Sequence, residues 1–137
     1  MIGICVVTHG NFAEGIKNSL EMITGQVENL EILSLYEGQV MEKFQDQAFE
    51  VIKRLDQGEG VLVFTDMLGA TPFNTVAHIR NKLIEEKIKC GVITGLNLPM
   101  LIESTIMRGS LNLADLLISM ENTGKDSIST LDVSLSV

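Results

Sequence analysis

Apolar positions along the chain fall into two alternating patterns. Short continuous runs, Ile2 to Thr8, Leu30 to Leu35, Gly60 to Thr65 and Lys89 to Thr94, are separated by longer amphipathic stretches. Continuous runs of four to seven residues are strands buried on both faces, and the stretches between them carry the three-to-four-residue spacing of helices. Phe12, Ile16, Leu20 and Ile23 trace the first helix, with Gly25 where a C-terminal cap belongs. Met41, Phe44, Ala48, Val51 and Leu55 trace the second, which ends before Gly58. Thr71-Pro72 marks a third helix start, with the stripe Phe73, Val76, Ala77, Arg80, Leu83 and Ile84 expected to be buried and the Arg at its edge. Pro99 opens a short helix that stops at Gly109, and Ser110 caps another through about Met120.

The series predicts an open, doubly wound α/β domain of about four parallel strands with helices on both faces. The tail from Lys125 to Val133 alternates weakly and is polar, as an edge strand or one exchanged between subunits would be. Residues 1–124 read as the domain proper and 125–137 as its C-terminal strand or tail.

With 137 residues, 45% of them hydrophobic, the chain can build one sizeable core. A net charge of −8 argues against nucleic acid, where Lys and Arg must neutralise phosphates. Cys5 and Cys90 lie in apolar runs and read as small buried hydrophobes. Two Cys and two His without metal-type spacing give no metal site. No stretch has the signature of a signal peptide or a membrane span, so a soluble, cytoplasmic protein is expected.

In such sheets ligands bind beyond the carboxyl ends of the strands. That rule selects Thr8-His9-Gly10-Asn11, Asp66 to Asn74, and Gly95 to Pro99. His9 ends a strand just ahead of a helix, where an imidazole is either a nucleophile, base or ligand, or a hydrogen-bonded structural residue. His78 reads as a solvated residue in the middle of the third helix. Asp66 would emerge at the same edge as His9 and, if strands one and three are neighbours, could hold one ring nitrogen as N–H and leave the other free. The competing reading is a turn or capping Asp.

Gly10 and Asn11 after His9, and Gly69-Ala70-Thr71 ahead of the third helix, offer backbone N–H groups and a hydroxyl to a phosphoryl group. The set suits phosphoryl transfer, which needs mainly positioning and charge stabilisation. Rival chemistries lack their parts. The chain has neither G-x-x-x-x-G-K-[ST] nor G-x-G-x-x-G, no acidic magnesium ligands after the first strand, few aromatics for a flavin, and no nucleophile elbow.

Val6-Val7-Thr8-His9-Gly10 with Ala13-Glu14-Gly15, then Phe64 to Asn74 (FTDMLGATPFN), then Thr94 to Leu101 (TGLNLPML) together resemble the IIA component of the mannose, fructose and sorbose family of the bacterial phosphoenolpyruvate-dependent sugar phosphotransferase system. The resemblance spans nearly the whole chain. It implies a phosphocarrier whose phosphorylated histidine is His9 and whose orienting aspartate is Asp66, with Thr71 where the family has a small hydroxyl residue. It further implies phosphate arriving from HPr and leaving to a IIB protein or domain, then to sugar at the membrane IIC and IID subunits, with no cofactor. It also implies a homodimer that exchanges its C-terminal strand. A separate IIB partner is expected because the sequence ends at Val137 without a second domain. The alternatives are the phosphocarrier subunit of a dihydroxyacetone kinase, or a non-catalytic binding module of the same fold.

Overall fold

The computed structural model describes residues 1–134. Four parallel strands, β1 (Gly3–His9), β2 (Leu30–Leu35), β3 (Val61–Thr65) and β4 (Cys90–Ile93), form one sheet in the order β2-β1-β3-β4. Successive side chains of a strand feed opposite faces. Ile4 and Val6 of β1 with Leu62 and Phe64 of β3 build one core, and Cys5 and Val7 with Val61 and Val63 build the other. Two buried faces are the reason β1 and β3 read as apolar runs, whereas β2 at the sheet edge is mostly half-buried and carries Glu31 and Ser34.

The helices divide between the faces. On the first lie α1 (Phe12–Thr24), α5 (Leu98–Met107) and α6 (Leu113–Asp126), whose Leu20, Leu101 and Met120 are fully buried. On the second lie α2 (Met41–Leu55), α3 (Thr71–His78) and α4 (Arg80–Glu85), packed through Phe44, Val76 and Leu83. No helix among the described residues is long and apolar enough to cross a membrane.

Three expectations need correction. The third helix breaks at Ile79, whose ψ of 3° leaves the helical region, so α3 and α4 are separate. Its buried stripe is Pro72, Thr75, Val76, Ile79 and Leu83; Ala77, Arg80 and Ile84 are exposed and Phe73 is half-buried. The last two helices begin at Asn97 and Asn112, whose side chains accept from the Met100 and Asp115 N–H groups at 3.1 and 2.9 Å, rather than at Pro99 and Ser110.

Helix α6 also continues past Met120 to Asp126, through Gly124. A Cβ at Gly124 would lie 2.2 Å from Met100 Cε, so the missing side chain is what lets α6 close on α5. The expected strand from Lys125 is therefore helix at its start. Residues 128–134 form no strand on their own sheet, and residues 135–137, the end of the expected tail segment, lie outside the described residues.

Arg108 locks the end of the sheet away from the candidate site. Its buried guanidinium donates to the carbonyls of Glu28, Ile2 and Asn29 at 2.6, 3.2 and 3.4 Å. Burial lowers its pKa, and the three carbonyl dipoles supply the partners that a buried cation requires.

Candidate active site

The chain passes from β1 outward to β2 and then returns across β1 to β3, so the strand order switches between β1 and β3. Loops leaving the carboxyl ends of these neighbours diverge and leave a crevice. His9 is the last residue of β1 and Asp66 the first after β3. The register that sets Val7 against Thr65 brings them together.

The contact is double. Asp66 Oδ2 lies 2.7 Å from His9 Nδ1 and also accepts the His9 backbone N–H at 2.9 Å. The main-chain bond fixes the carboxylate against the strand end, and the ring bond then orients the imidazole. The His9 side chain is 49% exposed and that of Asp66 only 14%. The imidazole thus is held at Nδ1 and leaves Nε2 as its other nitrogen. Burial pushes the Asp66 carboxyl up, but the bonds from the His9 N–H and ring outweigh it and bring the carboxyl below its usual range. Asp66 Oδ1 is buried with no hydrogen-bond partner.

Thr8 prepares this corner from within β1. Its buried Oγ1 accepts the Ala13 N–H at 2.8 Å, so it satisfies a first-turn donor of α1 that Asn11 at the N-cap does not. The sequence placed Thr8 in the segment Thr8-His9-Gly10-Asn11 but gave it no role, because a Thr at a strand end reads as an ordinary β-former.

The five expected phosphate-binding residues separate into two groups. Gly10 has φ +50° and turns the chain from β1 into α1, but its N–H donates to Leu35 O at 2.7 Å and is not available to an anion. Asn11 directs its side chain to Tyr36 instead. On the other side of the crevice, Gly69 has φ +75° and leads through Ala70 into α3, which opens at Thr71 with no side-chain cap. Asn74 Nδ2 ties back to Gly69 O at 2.9 Å and fixes that loop. Uncapped first-turn N–H groups at a glycine-led helix start are a site for anionic oxygens. Met67 and Leu68, 63% and 69% exposed, project from the same loop.

His78 is exposed at the last position of α3, away from the helix end that borders the crevice. Among the described residues no group of three or more His, Cys, Asp or Glu side chains is disposed to hold a metal ion. Both cysteines are free. Desolvation pushes the Cys90 thiol up to about 12 and raises that of Cys5 further, so neither is poised as a thiolate.

Comparison with known proteins bears on the family and the fold. The family described as PTS system fructose IIA component matches residues 3–121. The chain is 30% identical over 127 residues to the fructose-specific EIIA component of Bacillus subtilis, covering 93% of this chain and 84% of that protein. It is 30% identical over 131 residues to the mannose-specific EIIAB component of Escherichia coli K12, covering 95% of this chain but only 39% of that longer protein. Among solved structures, the phosphotransferase system EIIA component from Streptococcus agalactiae superposes with a TM-score of 0.84 at 32% identity, covering 98% of both chains. A mannose/sorbose IIA subunit from Enterococcus faecalis shares the fold with the same TM-score at 23% identity. With fold and sequence in agreement, this chain belongs to the mannose, fructose and sorbose IIA family of the sugar phosphotransferase system.

Proposed function

We propose that His9 accepts a phosphoryl group from phospho-HPr at Nε2 and passes it to a IIB protein or domain. The observation that carries this reading is the double bond-in by one oxygen. Asp66 Oδ2 meets His9 Nδ1 at 2.7 Å while held by the His9 N–H at 2.9 Å. With the proton on Nδ1, the Nε2 lone pair attacks the phosphorus in line. The N–P bond of the donor breaks, and its electron pair returns to the donor imidazole. Charge on the equatorial oxygens is met by the α3 N-terminus behind Gly69, Ala70 and Thr71. Positive charge developing on the His9 ring is met by Asp66. The donor already carries a reactive N–P bond, and return of the pair to His9 completes delivery to IIB.

Labelled phosphoenolpyruvate with enzyme I and HPr tests the reading. Wild-type protein and His78→Ala should take up one phosphoryl group per chain, on Nε2 by phosphorus and nitrogen NMR, and His9→Ala none. Equal labelling of His9→Ala would overturn it. A binding module of the same fold would remain unlabelled.

The same reading includes a homodimer built by strand exchange. Among the described residues β4 pairs only with β3. Beside it runs a groove of about 1400 Å³, with Cys90 and Val92 on its floor and Arg80, Lys87 and Lys89 on its walls. The tail carries Ile128, Leu131 and Val133, all highly exposed, with Asp126 and Asp132 to meet the basic walls. An unpaired edge, an apolar floor and opposite charge suit the tail of a second copy. Truncation after Ser127 should convert a dimer to a monomer at micromolar concentration while His9 still accepts phosphate. A full-length monomer, or a truncated dimer, would refute exchange.

A further inference from the structure

At the same sheet edge stands a polar cluster that the transfer step leaves unused. Tyr36, directly after β2, is 44% exposed and reaches across to the start of α1. Its hydroxyl donates to Glu14 Oε1 at 2.5 Å and lies 3.3 Å from the Asn11 side-chain amide. One hydroxyl hydrogen cannot serve both, and the shorter bond to the carboxylate takes it. Asn11 Oδ1, at 3.3 Å, remains a second and weaker neighbour of the hydroxyl. Ser34 Oγ, buried without a partner of its own, lies beside the same hydroxyl.

The backbone of Tyr36 is anchored as well. Its N–H donates to Gln39 Oε1 at 2.7 Å, and the preceding carbonyl, Leu35 O, holds the Gly10 N–H at 2.7 Å. Main chain and side chain at the end of β2 therefore grip the turn after His9 at two points, Gly10 and the Asn11–Glu14 pair.

Glu14 poses an electrostatic problem for a phosphocarrier. It is an acid in the first turn of α1, five residues after His9. A free carboxylate there, on the turn that follows His9, would repel an arriving phosphoryl group. We propose that Tyr36 is a positioning residue for phosphoryl transfer at His9. Its hydroxyl clasps the Glu14 carboxylate aside from the acceptor turn and holds Asn11 in place. This rests on the phosphocarrier reading of His9.

The test is single-turnover transfer from phospho-HPr, with donor concentration varied, in wild type, Tyr36→Phe, Glu14→Gln and the double variant. Tyr36→Phe keeps the ring and frees the carboxylate, so the saturating rate should fall about three- to tenfold, the scale of one partly screened charge. The concentration giving half-maximal rate should not change. Adding Glu14→Gln removes the released charge and should restore the rate to within about twofold of wild type. A purely structural role for Tyr36 would not be rescued by a second substitution that also weakens the cluster. The proposal is overturned by an unchanged rate in Tyr36→Phe, by a change in half-saturation alone, or by a double variant no faster than Tyr36→Phe. Labelling of wild type but not His9→Ala in the same series establishes the parent reading separately, so either can fail without the other.

Discussion

Asp66→Asn isolates the charge of the orienting residue at nearly constant shape. The carboxylate receives the His9 N–H at 2.9 Å and meets the ring at 2.7 Å through one oxygen. Bonds to a charged acceptor contribute about 1.5–3 kcal/mol against about 1 kcal/mol for a neutral one. A full charge about 4 Å from a cationic ring contributes up to about 4 kcal/mol at an effective dielectric constant near 20. The His9 side chain is 49% exposed, so solvent screens much of that. A loss of about 2–3 kcal/mol in the transition state remains, which slows transfer roughly 30- to 150-fold. The amide brings a second consequence. With its oxygen facing His9, its NH₂ occupies the place of Oδ1, which is buried and has no partner. An unsatisfied buried donor costs the fold about 1–3 kcal/mol. Rapid-quench transfer from labelled phospho-HPr measures the first effect, and thermal unfolding the second. A rate within threefold of wild type, in protein that binds HPr normally, would show that Asp66 only shapes the turn.

Acid should weaken the native state through the same residue. Its folded pKa lies below the usual Asp value of 3.8, so its contribution is present above that value and is lost as pH falls through the lower folded one. Melting temperature should therefore drop more steeply below about pH 4 in wild type than in Asp66→Asn; parallel curves would refute the linkage. Thr8→Val keeps the buried shape but leaves the Ala13 N–H, now bonded at 2.8 Å, without its acceptor. Denaturant titration should show a loss of about 1–2 kcal/mol, and no loss would mean that the bond contributes nothing. Gly3→Ala would set a Cβ 2.7 Å from Leu55 O and 2.8 Å from Leu55 Cβ. Forcing β1 and the end of α2 apart should cost about 1–3 kcal/mol by the same titration, and neutral behaviour would refute the close approach. Finally, with a net charge of −8, association with a basic phosphoryl donor should slow as salt rises. Salt-independent transfer would exclude steering.

The sequence by itself determined the elements that depend on local pattern. β2 appears at its expected bounds and the other strands within a residue, because each short run rich in aliphatic and β-branched residues is bounded by polar or glycine-containing turns. It also placed His9 and Asp66 at one sheet edge, since each ends a strand run and chain order brings such ends to the same side. Tertiary structure decided the rest. Whether β1 neighbours β3 is a matter of long-range pairing, and on that pairing depends whether Asp66 is a turn residue or the partner of His9 at 2.7 Å. Gly10 looked like a phosphate ligand by its neighbours in sequence, yet its N–H is taken by Leu35 from a different strand. The buried side of α3 and α4 shifted to Thr75 and Ile79 because the break at Ile79 resets the helical phase. Tyr36 carried no signal, since it lies 22 residues from Glu14, and only the parallel pairing of β1 with β2 sets its hydroxyl against the first turn of α1. Local spacing encodes which side of an element is apolar; which elements meet is encoded only in the packing of the whole chain.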